Sequence, residues 1–117
     1  MMLKRLIFVA DTHRVLIGFP QPVQQHMGYA LYLAQAGDKH LDAKPLKGLG
    51  PGVLEVVSDY RGDTFRAVYT VRLENAVYVL HAFQKKSKRG IATPKAEMDL
   101  VTERLRRAVA IDKDLEK

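Results

Sequence analysis

The sequence predicts an α+β fold in the order β-α-α-β-β-β-α, an antiparallel sheet packed by helices. Three observations carry that prediction. Between residues 53 and 83, three runs rich in β-branched and aromatic residues are separated by short turns, the pattern of a meander. Upstream, Val23, Met27, Ala30, Leu31 and Ala34 recur at spacings of four and three, one face of a helix. Towards the end, Thr93-Pro94 opens a stretch in which Met98, Val101, Leu105 and Ala108 form a second helical stripe.

Each element has a local reason. Leu6-Ile7-Phe8-Val9 is a short apolar run that reads as the first strand. Asp11 and Thr12 suit a helix start, and the short helix through Val15 and Leu16 should stop before Pro20. The second helix begins near Pro22, since proline fits a first helical turn, and Gly37 ends it. Lys44-Pro45-Leu46-Lys47-Gly48-Leu49-Gly50-Pro51-Gly52 is dense in turn formers and is expected to be irregular. Val53 to Val57, Phe65 to Val71 and Ala76 to Phe83 are the meander, turning at Tyr60-Arg61-Gly62-Asp63 and at Glu74-Asn75. Simple alternation in the last strand puts Val77, Val79 and Phe83 on one side and Tyr78, Leu80 and Ala82 on the other, so that strand should be central and covered on both faces. In the closing helix Thr93 is expected as the cap, with Pro94 in the first turn and Glu97 near the positive end of the helix dipole.

The chain has 117 residues, of which 47% are hydrophobic. That is one domain's worth, spanning 1–117, with enough apolar surface to form a core unaided. It contains no cysteine, which excludes a disulfide framework, thiolate catalysis and cysteine zinc sites. No run approaches the roughly 18 apolar residues of a membrane helix, and Leu6 to Ala10 is too short for a signal-peptide core. The expected location is the cytoplasm, with no membrane partner. Nineteen Lys and Arg against 13 Asp and Glu give a formal charge of +6, which fits a polyanionic partner, nucleic acid first, and equally fits a mildly basic soluble protein.

No phosphate-binding loop is present, because Gly48-Leu49-Gly50-Pro51-Gly52 carries no lysine at the phosphate position. His13, His26, His40 and His81 show no i, i+4 pairing with a carboxylate, so no metal site and no cofactor are expected. Ser58 and Ser87 are the only serines, and neither sits in a nucleophile elbow. What remains is cationic. Lys85, Lys86, Lys88 and Arg89 follow the last strand, Lys44 and Lys47 precede the meander, and Arg66 projects from the sheet beside Val68 and Thr70, with Arg61 in the preceding turn. Such a cluster suits RNA phosphates and the charge that builds on a phosphorane as RNA is cut. The bland alternative, solvated surface charge, is preferred for Lys4, Lys39, Lys113 and Lys117. Tyr69 and Tyr78 are expected in the core, with Tyr60 left between core and base stacking, and His81 is expected as a hydrogen-bonded core histidine with catalysis the minority reading.

Lys47-Gly48-Leu49-Gly50, Val53-Leu54-Glu55 and Arg61-Gly62-Asp63-Thr64-Phe65-Arg66-Ala67-Val68-Tyr69 together resemble the RelE/ParE toxin superfamily. Val79-Leu80-His81-Ala82-Phe83-Gln84-Lys85-Lys86-Ser87-Lys88 leading into Thr93-Pro94 resembles its HigB-like, phage-derived branch. The resemblance runs from about Lys44 to Arg107. It implies a toxin of a type II toxin–antitoxin pair, a metal-independent, ribosome-dependent mRNA endonuclease that stops translation. Carried over, Arg66 matches the strand arginine at the scissile phosphate, Lys47 the basic residue before the meander, and Lys85 and Lys86 the paired lysines. Arg61, Lys44, Lys88 and Arg89 are then the RNA-binding residues, and His81 has no firm role. The implied partners are the ribosome, mRNA and a cognate antitoxin, a helix-turn-helix protein from an adjacent gene. Val57 stands where many relatives carry the arginine of Glu-x-Arg, with Arg61 as the candidate replacement, and no tyrosine follows the last strand. Two alternatives stay open: a ParE-like DNA gyrase inhibitor, and a nucleic-acid-binding module without activity.

Overall fold

The structure, a computed structural model, describes residues 2–85 and 93–117. Its elements are β1 Arg5–Phe8, α1 Thr12–Ile17, α2 Gln21–Gln35, β2 Ala43–Pro45, β3 Val53–Tyr60, β4 Asp63–Thr70, β5 Ala76–Lys85 and α3 Lys95–Leu115. The expected α+β order is present with one addition. β2 runs into the start of the stretch expected to be irregular, because buried Ala43, just before it, fits the core opposite Val56 and draws Lys44 and Pro45 into an antiparallel pair.

The five strands form one sheet in the order β1-β5-β4-β3-β2. β1 runs parallel to β5, with Arg5 opposite Ala76 and Phe8 opposite Val79, so the sheet is mixed and not wholly antiparallel as expected. The reason is topological: the chain leaves β1 through two helices, so β1 takes the last strand as partner instead of forming a hairpin. β5 is buried on both faces, as the composition of its run requires. The edge strands β1 and β2 have only four and three residues, which leaves little backbone free for pairing with other chains.

One face is covered by α2, whose stripe of Val23, Met27, Ala30 and Leu31 is buried against Val56, Ala67 and Val79. The other face is covered by α3, with Val101, Leu105 and Ala108 over Val68, Tyr78 and Leu80. A bulge in β5 decides which side chains reach the α3 face. Val68 opposes His81 while Tyr69 opposes Val79, so Leu80 is an extra residue. Simple alternation therefore fails beyond Leu80. Opposed residues share a face, so His81, Phe83 and Lys85 join Val68, Arg66 and Thr64 on the α3 side, and Phe83 does not lie with Val77 and Val79.

Asp112 ends the buried stripe of α3. Its carboxylate accepts hydrogen bonds from the Tyr78 hydroxyl at 2.7 Å, the Asn75 amide at 3.0 Å and the Glu74 amide at 3.2 Å. Burial alone would raise its pKa, but these donors outweigh burial and hold the carboxyl below its ordinary value. Burial, then the bond to Asp112 and its charge, push the Tyr78 hydroxyl upwards in turn. The glycine-rich stretch wraps Arg72, which donates to Leu49 O at 2.8 Å and Pro51 O at 3.2 Å. Gly52 has φ +81, and a Cβ there would lie 2.6 Å from Arg72 Cβ, so only glycine fits.

Candidate active site

β3 and β4 pair in the register set by the turn between Tyr60 and Asp63, which places Val57 opposite Arg66 and Glu55 opposite Val68. Glu55 and Arg66 are thus diagonal neighbours on the α3 face. Arg66 Nη1 donates to Glu55 Oε1 at 2.9 Å, and the Thr93 hydroxyl donates to Glu55 Oε2 at 2.8 Å. Both charged side chains are almost buried, Arg66 at 7% and Glu55 at 11% exposure, which makes this a charge-assisted bond in a poorly screened setting. Thr93 does not cap α3. The capping position is Pro94, whose side chain has no acceptor to offer, and the Thr93 hydroxyl before it is engaged by Glu55. Asp11 likewise makes no side-chain cap bond to α1 and pairs with Arg14 and Arg104.

The ion pair forms the floor of a cleft of about 810 Å³ between the sheet and the start of α3. Lys44 and Lys47 line it from β2 and the following loop, and both are exposed. Lys44 is directly opposite Glu55, so its position is fixed by the β2 pairing that sequence reading missed. Asp42, Asp59, Val57 and Met98 also line the cleft. The arrangement offers cations for a phosphodiester and a carboxylate that can accept a proton.

Arg66, Lys44 and Lys47 are therefore brought together. Lys85 lies at the end of β5 opposite Thr64, two residues along from the Arg66 pairing, and is buried instead of lining the cleft. Arg61, the candidate replacement for the arginine absent at Val57, does not line the cleft. It sits in the β3–β4 turn at φ 51, exposed, with its guanidinium 5.1 Å from the Tyr60 ring centroid. Lys86, Lys88 and Arg89 lie outside the described residues. His81 is buried and has both ring nitrogens engaged: Arg104 Nη1 donates to Nδ1 at 2.9 Å, and Nε2 lies 3.0 Å from Glu97 Oε1. An arginine can only donate, so Nδ1 accepts and Nε2–H points at Glu97. His81 is thus the hydrogen-bonded core histidine.

Sequence reading assigned no role to Glu55. Its signal was the hairpin register, which sets an opposite charge diagonal to Arg66. Among the described residues, no helix is long and apolar enough to cross a membrane. Comparison with family models matches the phage-derived protein Gp49-like family (DUF891) over residues 14–106. No curated protein and no solved structure matches the chain.

Proposed function

The chain belongs to the Gp49-like phage-derived family, which is related to the RelE-type toxins, and from that premise we propose that it is the toxin of a type II toxin–antitoxin pair. The finer reading is a HigB-like mRNA endonuclease acting on the ribosome in the cytoplasm, held inactive by an antitoxin encoded nearby. The observation that supports it is the cleft in which Arg66 and Glu55 meet beneath Lys44 and Lys47.

In this reading Lys44 and Lys47 hold backbone phosphates of a single RNA strand, and Arg66 stabilises the charge that develops at the scissile phosphate. Glu55 takes the proton of the neighbouring 2′-hydroxyl as that oxygen attacks phosphorus. The P–O5′ bond breaks, a 2′,3′-cyclic phosphate forms, and the 5′-oxygen takes a proton from solvent. This chemistry needs no metal, because the nucleophile is supplied by the RNA and alignment supplies much of the rate. The resemblance adds Lys85, Lys86, Lys88 and Arg89 to the residues that contact RNA, together with Arg61, which is exposed in the β3–β4 turn.

The test is expression of the full chain from a tightly repressed promoter, followed by mapping of RNA ends on translating ribosomes. Growth arrest with cut messenger is expected, and cleavage should be lost in Glu55→Gln. Arrest with intact messenger and DNA damage would replace this reading with gyrase inhibition. Absence of toxicity from a folded, expressed chain would leave only a binding module.

A further inference from the structure

A second polar cluster lies at the β2 edge of the sheet, where α2 meets the loop before β2. His26 of α2 has Nε2 2.8 Å from Asp42 Oδ2, and His40 Nδ1 lies 3.9 Å from that same oxygen. One ligand atom from each of the three residues lies within 4.8 Å of the other two. The three residues are anchored separately. The buried stripe through Met27 sets the rotation of α2, and His26 Nδ1 lies 2.7 Å from the hydroxyl of Ser58 on β3. Asp42 immediately precedes Ala43, which is pinned opposite Val56. His40 is held by the Asp42 amide, which donates to its Nδ1 at 2.9 Å, and by an edge contact with Tyr29 at 5.5 Å between centroids.

We propose that His26, His40 and Asp42 form a binding site for a late first-row divalent metal ion, with Zn²⁺ the best suited. Two imidazoles and one carboxylate are a borderline donor set that fits zinc and its neighbours and fits calcium or magnesium poorly. Bonds of about 2.0–2.1 Å in a tetrahedral site put ligand atoms about 3.3 Å apart. The two separations from Asp42 Oδ2 bracket that value and no pair of the three ligand atoms is farther apart than 4.8 Å, so side-chain rotations can close the set on an ion. Ser58 completes the argument as the outer partner of His26. When Nε2 gives up its proton to bind the ion, Nδ1 carries the hydrogen, and a hydroxyl can accept that bond as readily as it donated the earlier one. His40 turns the Nδ1 lone pair from the Asp42 amide to the ion. The fourth position is left to water, since the Asp42 side chain is 56% exposed.

The same atoms resemble a serine–histidine–carboxylate relay, but Ser58 is 3% exposed beneath α2 and no substrate can reach its hydroxyl. The ion would tie α2 to the loop and to edge strand β2, closing the segment between His26 and His40. The cleft chemistry does not depend on it, although Asp42 also lines the cleft rim.

The experiment is titration of the untagged, chelator-treated full chain with Zn²⁺ by calorimetry, with Co²⁺ as a spectroscopic probe. One Zn²⁺ per chain should bind, and the Co²⁺ visible bands should gain intensity relative to the aqueous ion. His40→Ala and Asp42→Asn alter exposed or loop positions, so both should fold, checked by far-UV circular dichroism. Each should weaken binding by about tenfold or more, while His13→Ala leaves it unchanged. Parent melting temperature should rise by several degrees at a large excess of Zn²⁺ over Kd, and that rise should vanish in the two variants. No saturable binding below about millimolar Zn²⁺, or equal affinity in parent, His40→Ala and Asp42→Asn, would overturn the proposal. Half an ion per chain accompanied by dimers would overturn it as well.

Discussion

Arg66→Met is the most informative single change, because it affects stability and chemistry in ways that can be separated. It removes the guanidinium that donates to Glu55 Oε1 and leaves the carboxylate with the Thr93 hydroxyl as its hydrogen-bond partner among the described residues. Breaking a buried ion pair from one side costs about 3–5 kcal/mol, mostly for the charge left behind. The pair floors a cleft, so water softens the loss, and about 3 kcal/mol is the working value. For a domain of this size that corresponds to a fall of roughly 10–15 °C in melting temperature. Toxicity lost in this variant alone would be ambiguous, since a destabilised chain is also cleared faster. The double variant Glu55→Gln/Arg66→Met removes the stranded charge and should recover about 2 kcal/mol relative to Arg66→Met, and the coupling of the pair is the loss in the double variant less the losses in the two single variants. Cleavage on ribosomes should not recover, staying about a hundredfold or more below the parent. Thermal denaturation of the four proteins and end mapping of cleaved messenger are the two assays. A stable double variant that cuts at the parental rate would refute the assignment of Arg66 and Glu55. A single variant as stable as the parent would refute the energetics of the pair.

Other outcomes follow from the same structure. Asp112→Asn should lower stability by about 2–3 kcal/mol at neutral pH, through the bonds from Tyr78, Asn75 and Glu74. Because the folded Asp112 pKa is depressed, that contribution is present above the unfolded value near 4 and is lost as pH falls through the folded one. The stability gap between parent and variant, followed by urea denaturation from pH 7 to pH 2, should therefore close on the acid side. The Tyr69 hydroxyl is buried without a hydrogen-bond partner among the described residues, and burial pushes its pKa up to about 12. Tyr69→Phe should leave stability unchanged or raise it by about 1 kcal/mol, and should soften the loss that sets in above about pH 10 and runs through the folded pKa. His81→Gln should lower the melting temperature by disturbing the bonds to Arg104 and Glu97, while the cleavage rate of the folded fraction stays at the parental value. A rate loss of a hundredfold at unchanged stability would instead make His81 part of the chemistry.

Much of the fold was legible because local rules and tertiary demand agreed. The stripe Val23, Met27, Ala30, Leu31 and Ala34 is buried as its period requires, and Tyr69 and Tyr78 are core residues. The parallel partner of β1 was not legible, since nothing in Leu6-Ile7-Phe8-Val9 distinguishes one strand partner from another. β2 was hidden among turn formers, where one buried alanine outweighs its neighbours. The bulge at Leu80 was invisible to alternation, which has no means of registering an inserted residue. Among site residues, Arg66 stood out as a cation on a strand of the meander, whereas the place of Lys44 depends on the β2 pairing and Glu55 needed the hairpin register to be carried across to the neighbouring strand. The cluster of His26, His40 and Asp42 escaped a search for ligands four apart, because it joins a helix to the loop that follows it.

The pairing of β1 with β5 also sets an order of events in time. Arg5 meets Ala76, a separation of 71 residues (76 − 5), so during synthesis the first strand waits for most of the fold to emerge before it has a partner. Contacts so distant along the chain are slow to close, and until they do, the apolar stripe of α2 has only a partial sheet to cover it. The cleft is completed later still, since Thr93 and Met98 arrive after every strand has been made. A nascent chain halted before residue 93 therefore carries Arg66 and Glu55 without the hydroxyl and helix that close over them. Whatever the cleft does, it begins to do only once the last helix has docked.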